Sequence, residues 1–393
     1  MTERLYYTDS YLTDFEAAVV ERADNGRRIY LDRTAFYPTS GGQPFDTGLL
    51  SGIQVGDEVD EGERIAHLLT APFPEATVAS GRVDWRRRFD HMQQHTGQHL
   101  LSAVLADLFG YPTVGVHFGR ESSTLDLEAG SLNQDQLDSA EQRANEIVVE
   151  NRPVLTSFED ADAAAGLRKA SERTGILRIV NILNLDRSAC GGTHVRATGE
   201  IGAISMGKVE RVRKAVRVEF SCGSRAIRRA RADRRLLGQL ATHFSSAADD
   251  LPQLVRSQAE DLRHAHATMR EVQNSLDLCR ARELYRETTP DSTGIRRVIV
   301  RDSGEPVEGL RGLAQAFTAF PMAILVGVVD SPPAIVLAAS PDTRVNAAEV
   351  LRGLLAEVGG RGGGSAGLAQ GVVPGHAQLE TVINSFLGEQ KPR

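Results

Sequence analysis

The sequence predicts an α+β fold class, with a small N-terminal β-barrel, a central α+β domain, a helical arm and a C-terminal α/β domain. Short apolar runs alternate with turn residues first, a long helical pattern follows, and buried strands alternate with helices at the end. At 393 residues the chain exceeds the usual size of one hydrophobic core, so more than one domain is expected. The predicted domains span 1–88, 89–222, 223–289 and 290–393.

The first domain is predicted to be β structure because its apolar runs are short and separated by turn signals. Asn25-Gly26 lies between the first two runs and favours a tight hairpin turn. We expect the strands to form a small barrel, and they are predicted at 16–21, 28–32, 48–53 and 65–69.

The central domain mixes helix and strand patterns, which favours an α+β layer. Its elements are predicted as helices 91–109 and 133–151 and strands 123–127, 177–182, 203–209 and 215–220.

Residues 223–288 predict nearly continuous helix, interrupted at Leu251-Pro252, where a second helix is expected to begin. Apolar side chains recur at helical spacing in that second helix, which favours a packed helical hairpin or a coiled-coil arm. They are Leu254, Leu262, Met269, Val272, Leu276 and Cys279.

The C-terminal α/β domain is predicted from buried strands at 298–300, 323–329 and 334–339 and helices near 306–319 and 345–357. Residues 359–365 form a glycine-rich run around Arg361. The run predicts a loop whose backbone N–H groups cradle a phosphate, and a flexible linker is the alternative.

Composition is that of an ordinary globular protein, with 41% hydrophobic and 25% charged residues. No apolar run is long enough to span a membrane, and the first residues lack a signal-peptide core. Three cysteines are too few and too scattered for a disulfide framework. We therefore expect a soluble cytoplasmic protein that does not associate with membranes.

The formal net charge of −7 argues against a wholly basic nucleic-acid-binding protein. Locally, residues 206–235 hold eleven Lys and Arg against three acidic residues, and a smaller arginine cluster occupies 82–88. A merely solvated face is the ordinary explanation of such runs. If a metal site lies nearby, as the histidine and cysteine segments described next indicate, a polyanionic substrate explains these charges better.

Two short segments about ninety residues apart offer a complete ligand set for a metal ion. His95 and His99 are four residues apart in a predicted helix, so both rings can face one ion. Cys190 and His194 flank a Gly-Gly turn that lets them converge. Three imidazoles and one thiolate suit one tetrahedral Zn²⁺ per chain. Surface histidines and a buried thiol are the alternative for each segment alone.

Four ordered motifs give this sequence a family resemblance. Residues 90–101 and 190–195 resemble the two halves of the editing site of alanyl-tRNA synthetases and of their free-standing relatives, the AlaX proteins. Residues 36–48 resemble the glycine-rich segment of that family, and 116–127 resemble the strand after the histidine helix. The C-terminal domain is similar to that of alanyl-tRNA synthetases, as in the long AlaX form.

The resemblance implies site residues beyond the four zinc ligands. Catalytic roles fall on Thr39, which would hydrogen-bond a seryl hydroxyl, on Gln43, which would hold the ester carbonyl or a water, and on His117. A turn-stabilising Thr, a solvent-facing amide and a structural histidine are the alternatives. Substrate or RNA contacts are expected at Gly41, Gly42, Arg87, Arg88, His91, Arg361, Gly362, Gly363 and Gly364.

The implied function is a trans-editing hydrolase that deacylates mischarged tRNA(Ala) and protects translation fidelity. Ser-tRNA(Ala) is the expected substrate, and Gly-tRNA(Ala) is a further candidate. No aminoacylation domain precedes the editing region, so we expect neither ATP-dependent activation nor tRNA charging. A homodimer through the arm or the C-terminal domain is a further expectation.

Other function classes stay open from the sequence. The principal alternative is a non-catalytic zinc- and tRNA-binding protein of the same fold. A phosphoesterase ranks last, because the chain has no Asp-His-His string. Four protein ligands are typical of a structural zinc site, so direct contact of the ion with substrate or water competes with a purely organising role. Gly97, between the two histidines of the ligand helix, departs from the usual pattern of the family. A glycine inside a helix is unfavourable, so it predicts close approach of RNA or of the opposing strand.

Overall fold

The computed structural model describes residues 1–170, 174–302 and 307–387. The chain divides into two units, Met1–His243 and Phe244–Arg393. The division into four domains stays a prediction. Within the described ranges, no helix combines the length and the apolar character needed to cross a membrane.

Six strands of the first unit close into the predicted barrel, in the order β2-β3-β7-β6-β5-β8. The β2–β3 hairpin turns at Asp24–Gly26, as Asn25-Gly26 predicted. The single strand predicted at 48–53 is two strands, because Ser51 and Gly52 turn the chain at φ +48° and +83°. The strands of this region are β1 Glu3–Arg4, β2 Asp14–Ala23, β3 Arg28–Leu31, β4 Arg33–Thr34, β5 Gly48–Leu50, β6 Ile53–Asp60, β7 Ile65–Leu69 and β8 Val78–Val83.

The helix that carries the histidine pair is α1, Trp85–Phe109, and it begins earlier than the predicted His91. Asp84 accepts a hydrogen bond from the Arg87 N–H and caps its start, and Gly110 ends it in the left-handed conformation. Residues 91–105 of this helix are all buried, which explains why polar and apolar side chains alternate without a clean amphipathic stripe.

Two antiparallel sheets and a second helix complete the mixed α+β region. One sheet has the order β14-β15-β10-β9 and the other β11-β12-β13. A capping box between Asn133 and Gln136 begins α2, so the helix starts next to the predicted residue, Asn133. The elements are β9 Thr113–Phe118, β10 Ser123–Leu127, α2 Gln134–Glu150, β11 Val154–Asp160, β12 Ile176–Ile182, β13 Asp186–Ala189, β14 Ile204–Val212 and β15 Ala215–Cys222.

The predicted helical arm is two helices, α3 Ser224–His243 and α4 Leu251–Glu287, with Pro252 in the first turn of α4. The helix break is therefore where the sequence placed it. Leu262, Met269 and Val272 are nevertheless exposed, so their helical spacing does not mark a buried stripe. The coiled-coil arm and the homodimer stay predictions.

The second unit contains a five-stranded sheet of order β16-β17-β18-β20-β19, parallel only between β16 and β17. Its elements are β16 Arg296–Asp302, α5 Val307–Thr318, β17 Ala323–Asp330, β18 Pro333–Ala339, α6 Ala347–Glu357, β19 Arg361–Gly364, β20 Leu368–Val372 and α7 His376–Leu387. The predicted helix start at 306 lies outside the described residues.

The prediction of a phosphate-cradling loop at Arg361, Gly362, Gly363 and Gly364 is wrong in its conformation. These residues form edge strand β19, paired with β20 from Arg361↔Val372 to Gly364↔Ala369. The absence of a side chain at Gly362 allows the pairing, because a Cβ there would lie 2.5 Å from the Gln370 carbonyl oxygen of β20. Contact of this strand with RNA stays a prediction.

Candidate metal centre

The first two candidate ligands lie one turn apart on α1. The His95 and His99 rings are buried on one face, with their centroids 5.3 Å apart. Gly97, between them, lies against the end of β15, where a Cβ would overlap the Cys222 Sγ. The sequence predicted close approach of RNA or of the opposing strand at Gly97, and in the structure strand β15 makes this close approach.

The other two candidate ligands lie in a tight loop that follows β13. Arg178 shapes this loop by donating from Nη1 to the carbonyl oxygens of Cys190 and Gly192 at 2.8 and 2.9 Å. Gly192 must lack a side chain, because a Cβ there would overlap the His95 ring. The Gly-Gly turn therefore brings the loop backbone directly against the helix histidines.

The four side chains converge on one point. One ligand atom from each of His95, His99, Cys190 and His194 lies within 4.8 Å of the other three. The Cys190 Sγ is 3.4 Å from the Nε2 atoms of His95 and His194. Ligand atoms on a tetrahedral zinc, with Zn–N about 2.0–2.1 Å and Zn–S about 2.3 Å, are roughly 3.5 Å apart. The spacing therefore fits a metal ion of this kind.

Each imidazole is also held from behind through its Nδ1 atom. The His95 Nδ1 is 2.8 Å from Gln43 Oε1, and the His99 Nδ1 is 2.8 Å from Asp186 Oδ2. The third ring, His194, has its Nδ1 3.1 Å from the Thr96 hydroxyl. An amide oxygen and a carboxylate oxygen only accept, so Nδ1 of His95 and His99 carries the proton. Their Nε2 lone pairs are left for a metal, as in other histidine metal sites.

The electrostatics of the cluster favour a thiolate. Burial alone would raise the pKa of the Cys190 thiol, but the His95 and His194 imidazoles lower that pKa well below its usual value. Burial and the neighbouring His95 lower the pKa of His194 to about 3. Burial opposes protonation of His99, but its hydrogen bond to Asp186 and the Cys190 thiolate raise the pKa of His99 to about 9. Zn²⁺ binds one thiolate and neutral imidazoles, so metal binding at this cluster releases the extra proton of His99.

A cavity of about 1000 Å³ opens onto the cluster. Its volume is in the range of small-molecule sites. The lining includes His95, His99 and Cys190, the glycine-rich segment at Ser40 and Gly41, and four cations, Arg4, Arg168, Lys169 and Arg178. The cluster is therefore open to a ligand rather than enclosed in the core.

The structure corrects two predicted catalytic residues. Gln43 is 1% exposed; its Oε1 accepts from the Thr193 N–H as well as from His95, and its Nε2 donates to the Thr193 hydroxyl. Its amide group is thus engaged by His95 and Thr193, and it positions His95. His117 is exposed and adjoins Phe118, whose ring packs on His95. Neighbours on a strand face opposite sides, so His117 faces away from the cluster.

The third predicted catalytic residue, Thr39, is exposed, and its hydroxyl accepts a hydrogen bond from the Phe45 N–H. This is the turn-stabilising role that the sequence left as the alternative. Contact of Thr39 with a seryl hydroxyl stays a prediction, as do the substrate contacts of Gly41 and Gly42. Gly41 lines the cavity, and Gly42 lies against Phe118.

The predicted RNA contact at Arg88 is wrong, because this side chain is fully buried. Its guanidinium donates to the Asp46 carboxylate and to the carbonyl oxygens of Ser10 and Ala35. Arg87 and His91 instead line a second cavity near the start of α1.

Sequence reasoning missed Asp186, Thr96 and Arg178, which orient the ligands. Asp186 also accepts from Arg168 Nε at 2.6 Å, and its pKa is lowered, because His99 and Arg168 outweigh the effect of burial. The available signal was an acidic residue four positions before Cys190, since metal-binding histidines commonly donate to a carboxylate.

Comparisons with known proteins follow the same regions. The family model described as "Threonyl and Alanyl tRNA synthetase second additional domain" matches residues 177–218, which include Cys190 and His194. The alanyl-tRNA editing protein AlaX-L of Pyrococcus horikoshii is 30% identical over 95% of both chains. The chain belongs to the AlaX family. The similarity to AlaX-L covers nearly the whole length of both chains.

Two further relatives match different shares of this chain. The alanyl-tRNA editing protein AlaX-M of Methanosarcina acetivorans is 36% identical over 53% of this chain and 94% of its own. The alanine–tRNA ligase of Pyrococcus abyssi is 30% identical over 98% of this chain but only 43% of its own length. This chain therefore spans less than half of the ligase.

Proposed function

We propose that this chain is an aminoacyl-tRNA deacylase that edits mischarged tRNA(Ala). Ser-tRNA(Ala) is the proposed substrate, and Gly-tRNA(Ala) is a second candidate. Water adds across the ester bond, so that the amino acid leaves as a carboxylate and the terminal ribose regains its hydroxyl. The observation that carries the proposal is the convergence of His95, His99, Cys190 and His194 at an open cavity in an AlaX family member.

We propose Zn²⁺ as the ion, with these four side chains as its ligands. The donor set of one sulfur and three nitrogens suits zinc better than magnesium or calcium, which prefer oxygen ligands. A bound zinc ion supplies Lewis acidity, which polarises an ester carbonyl or a water.

The roles of the surrounding side chains follow from their contacts. Gln43, Asp186 and Thr96 hold the three imidazoles in one orientation and thereby keep the donor atoms pointed at a common centre. Lys169 is exposed in the cavity lining, where its charge attracts the polyanionic substrate. Arg178 holds the Cys190 loop through Nη1, and its Nε donates to the Tyr7 carbonyl oxygen.

The test is the hydrolysis of Ser-tRNA(Ala), Gly-tRNA(Ala) and Ala-tRNA(Ala), measured side by side with the metal content. We expect release of serine, little release of alanine, and at least about 100-fold slower hydrolysis by the Cys190→Ala variant. Cys279→Ala is the matched control, because Cys279 is exposed on α4 and should leave the rate unchanged.

Three results would count against this function. Equal turnover of Ala-tRNA(Ala) would exclude an editing role. Unchanged hydrolysis by folded, zinc-free Cys190→Ala protein would exclude a role for the metal in the reaction. Binding of tRNA(Ala) by the zinc-loaded chain without hydrolysis of any of the three esters would favour the non-catalytic alternative.

A further inference from the structure

A second cavity of about 460 Å³ lies in the first unit, near the start of α1. It is bounded by the first turns of α1 and α3 and by the end of β9. Its arginine and histidine side chains are Arg86, Arg87, His91, Arg120, Arg225 and Arg228.

The lining is strongly basic. It contains five arginines and two aspartates, Asp84 and Asp90. Asp90 is neutralised by Arg225, which is 4% exposed and donates to it at 2.6 Å. Arg86 and Arg120 are exposed, and neither has an ion pair or a side-chain hydrogen bond among the described residues. The cavity therefore carries positive charge that the chain itself does not neutralise.

A buried and unpartnered polar atom lies in the same lining. His91 is 6% exposed, and its Nδ1 atom is buried without a hydrogen-bond partner among the described residues. Nearly all buried polar groups have partners, so this atom points to a missing one. Burial, assisted by Arg87, lowers the pKa of His91 to about 4. The neutral ring still offers an N–H donor.

The backbone adds to the positive electrostatic potential of the cavity. Both α1, with 25 residues, and α3, with 20, begin at this cavity. The N-terminal end of a helix carries partial positive charge and exposes N–H groups. The Asp84 carboxylate already accepts from the Arg87 N–H at the start of α1, so the start of α3 and the remaining N–H groups of α1 are what favour an anion. Side chains and backbone therefore select the same kind of ligand.

We propose that this cavity binds a backbone phosphate of the RNA substrate, one or two nucleotides from the aminoacyl ester. Arginine guanidinium groups match phosphate oxygens in charge and in geometry. The identification of the ligand as tRNA rests on the proposed function, whereas the preference for a phosphate does not.

The position of the cavity fits this spacing. Phe118 lines it, and the Phe118 ring centroid is 5.2 Å from that of His95. His91 is four residues from His95 on α1, a rise of about 6 Å. Successive phosphates of a stacked strand are separated by about 3.4 Å along its axis. Pro44 lines this cavity and Gly41 the metal cavity, so one short segment joins the two.

The test is the affinity of the chain for uncharged tRNA(Ala), measured over a range of KCl concentrations. We compare Arg86→Ala and Arg120→Ala with Arg27→Ala, whose exposed side chain follows the β2–β3 turn and does not line the cavity. Each variant removes one charge. We expect each cavity variant to bind about tenfold more weakly. The slope of log affinity against log salt should fall by about 0.7–0.9.

The outcomes separate this proposal from the proposed function, because uncharged tRNA requires no hydrolysis. Weaker binding with a shallower salt slope in both cavity variants, and neither change in Arg27→Ala, would support the phosphate site even if no ester is hydrolysed. Binding of the cavity variants like that of Arg27→Ala, or weaker binding with an unchanged slope, would overturn it. If Ser-tRNA(Ala) is nevertheless hydrolysed, the proposed function stands without this site.

Discussion

The three imidazoles of the metal cluster are held by three different chemical groups. His99 donates to the carboxylate of Asp186, whereas His95 donates to the amide oxygen of Gln43. A carboxylate partner makes the ring a stronger electron donor than an amide partner does. The ligands are therefore unequal, and His95 should be the more weakly bound of this pair. We propose that such a weaker ligand would leave room for a substrate atom at a site with four protein donors.

At this residue scale, Gln43→Ala should lower the affinity for zinc by about 10- to 100-fold, because His95 loses the acceptor that fixes its ring. The measurement is competition with a zinc chelator at neutral pH. Gln54→Ala is the control, since Gln54 is exposed on β6 of the barrel and outside the metal cavity. Equal zinc affinities of the two variants would contradict a positioning role for Gln43.

At the scale of elements, the site depends on how closely α1 packs against β15. Gly97 permits this approach, since the Cys222 Sγ occupies the space of its missing side chain. Gln94 fixes the same contact, donating to the Cys222 carbonyl oxygen at 3.1 Å and accepting from its N–H at 2.9 Å. The contact with the end of β15 therefore fixes the position of the helix segment that carries His95 and His99.

Gly97→Ala should destabilise the protein by about 1–3 kcal/mol, because the added methyl group overlaps a buried sulfur atom. Gly238→Ala, on the exposed part of α3 with no atom near the added Cβ, should instead stabilise by up to about 1 kcal/mol. Both are measured as free energies of unfolding in denaturant. Adding Cys222→Ala to Gly97→Ala removes the overlapping atom and should restore part of the loss. Stabilisation by Gly97→Ala alone would contradict this packing account.

The sequence predicted the elements whose signals are local. The turn at Asn25-Gly26 and the start of the helix at Asn133 were predicted from neighbouring residues, and the structure has a turn at Asp24–Gly26 and α2 beginning at Gln134. Contacts between distant segments were not predictable, since the partnership of His99 with Asp186 depends on how β13 is placed beside α1. Arg88 and Arg87 are adjacent in sequence, yet only the fold distinguishes a buried structural arginine from one at a cavity. The glycine run at 361–364 indicated a loop, because its pairing with β20 depends on a contact that the glycine pattern itself does not indicate.

At the scale of the whole molecule, the chemistry is concentrated in the first unit. The metal cluster, its open cavity and the basic cavity all belong to residues within Met1–His243. The second unit carries helix α4 and the five-stranded sheet. The similarity to AlaX-L covers 95% of the chain and therefore both units. We propose that the second unit contributes to RNA binding, as the sequence implied for its C-terminal sheet domain.

The central claim is that His95, His99, Cys190 and His194 form one zinc site, and the zinc K-edge X-ray absorption spectrum of the purified chain tests it most directly. We predict one zinc per chain with one sulfur neighbour at about 2.3 Å and nitrogen neighbours at about 2.0–2.1 Å. A folded chain that takes up no zinc, or a spectrum with only nitrogen and oxygen neighbours, would contradict the account.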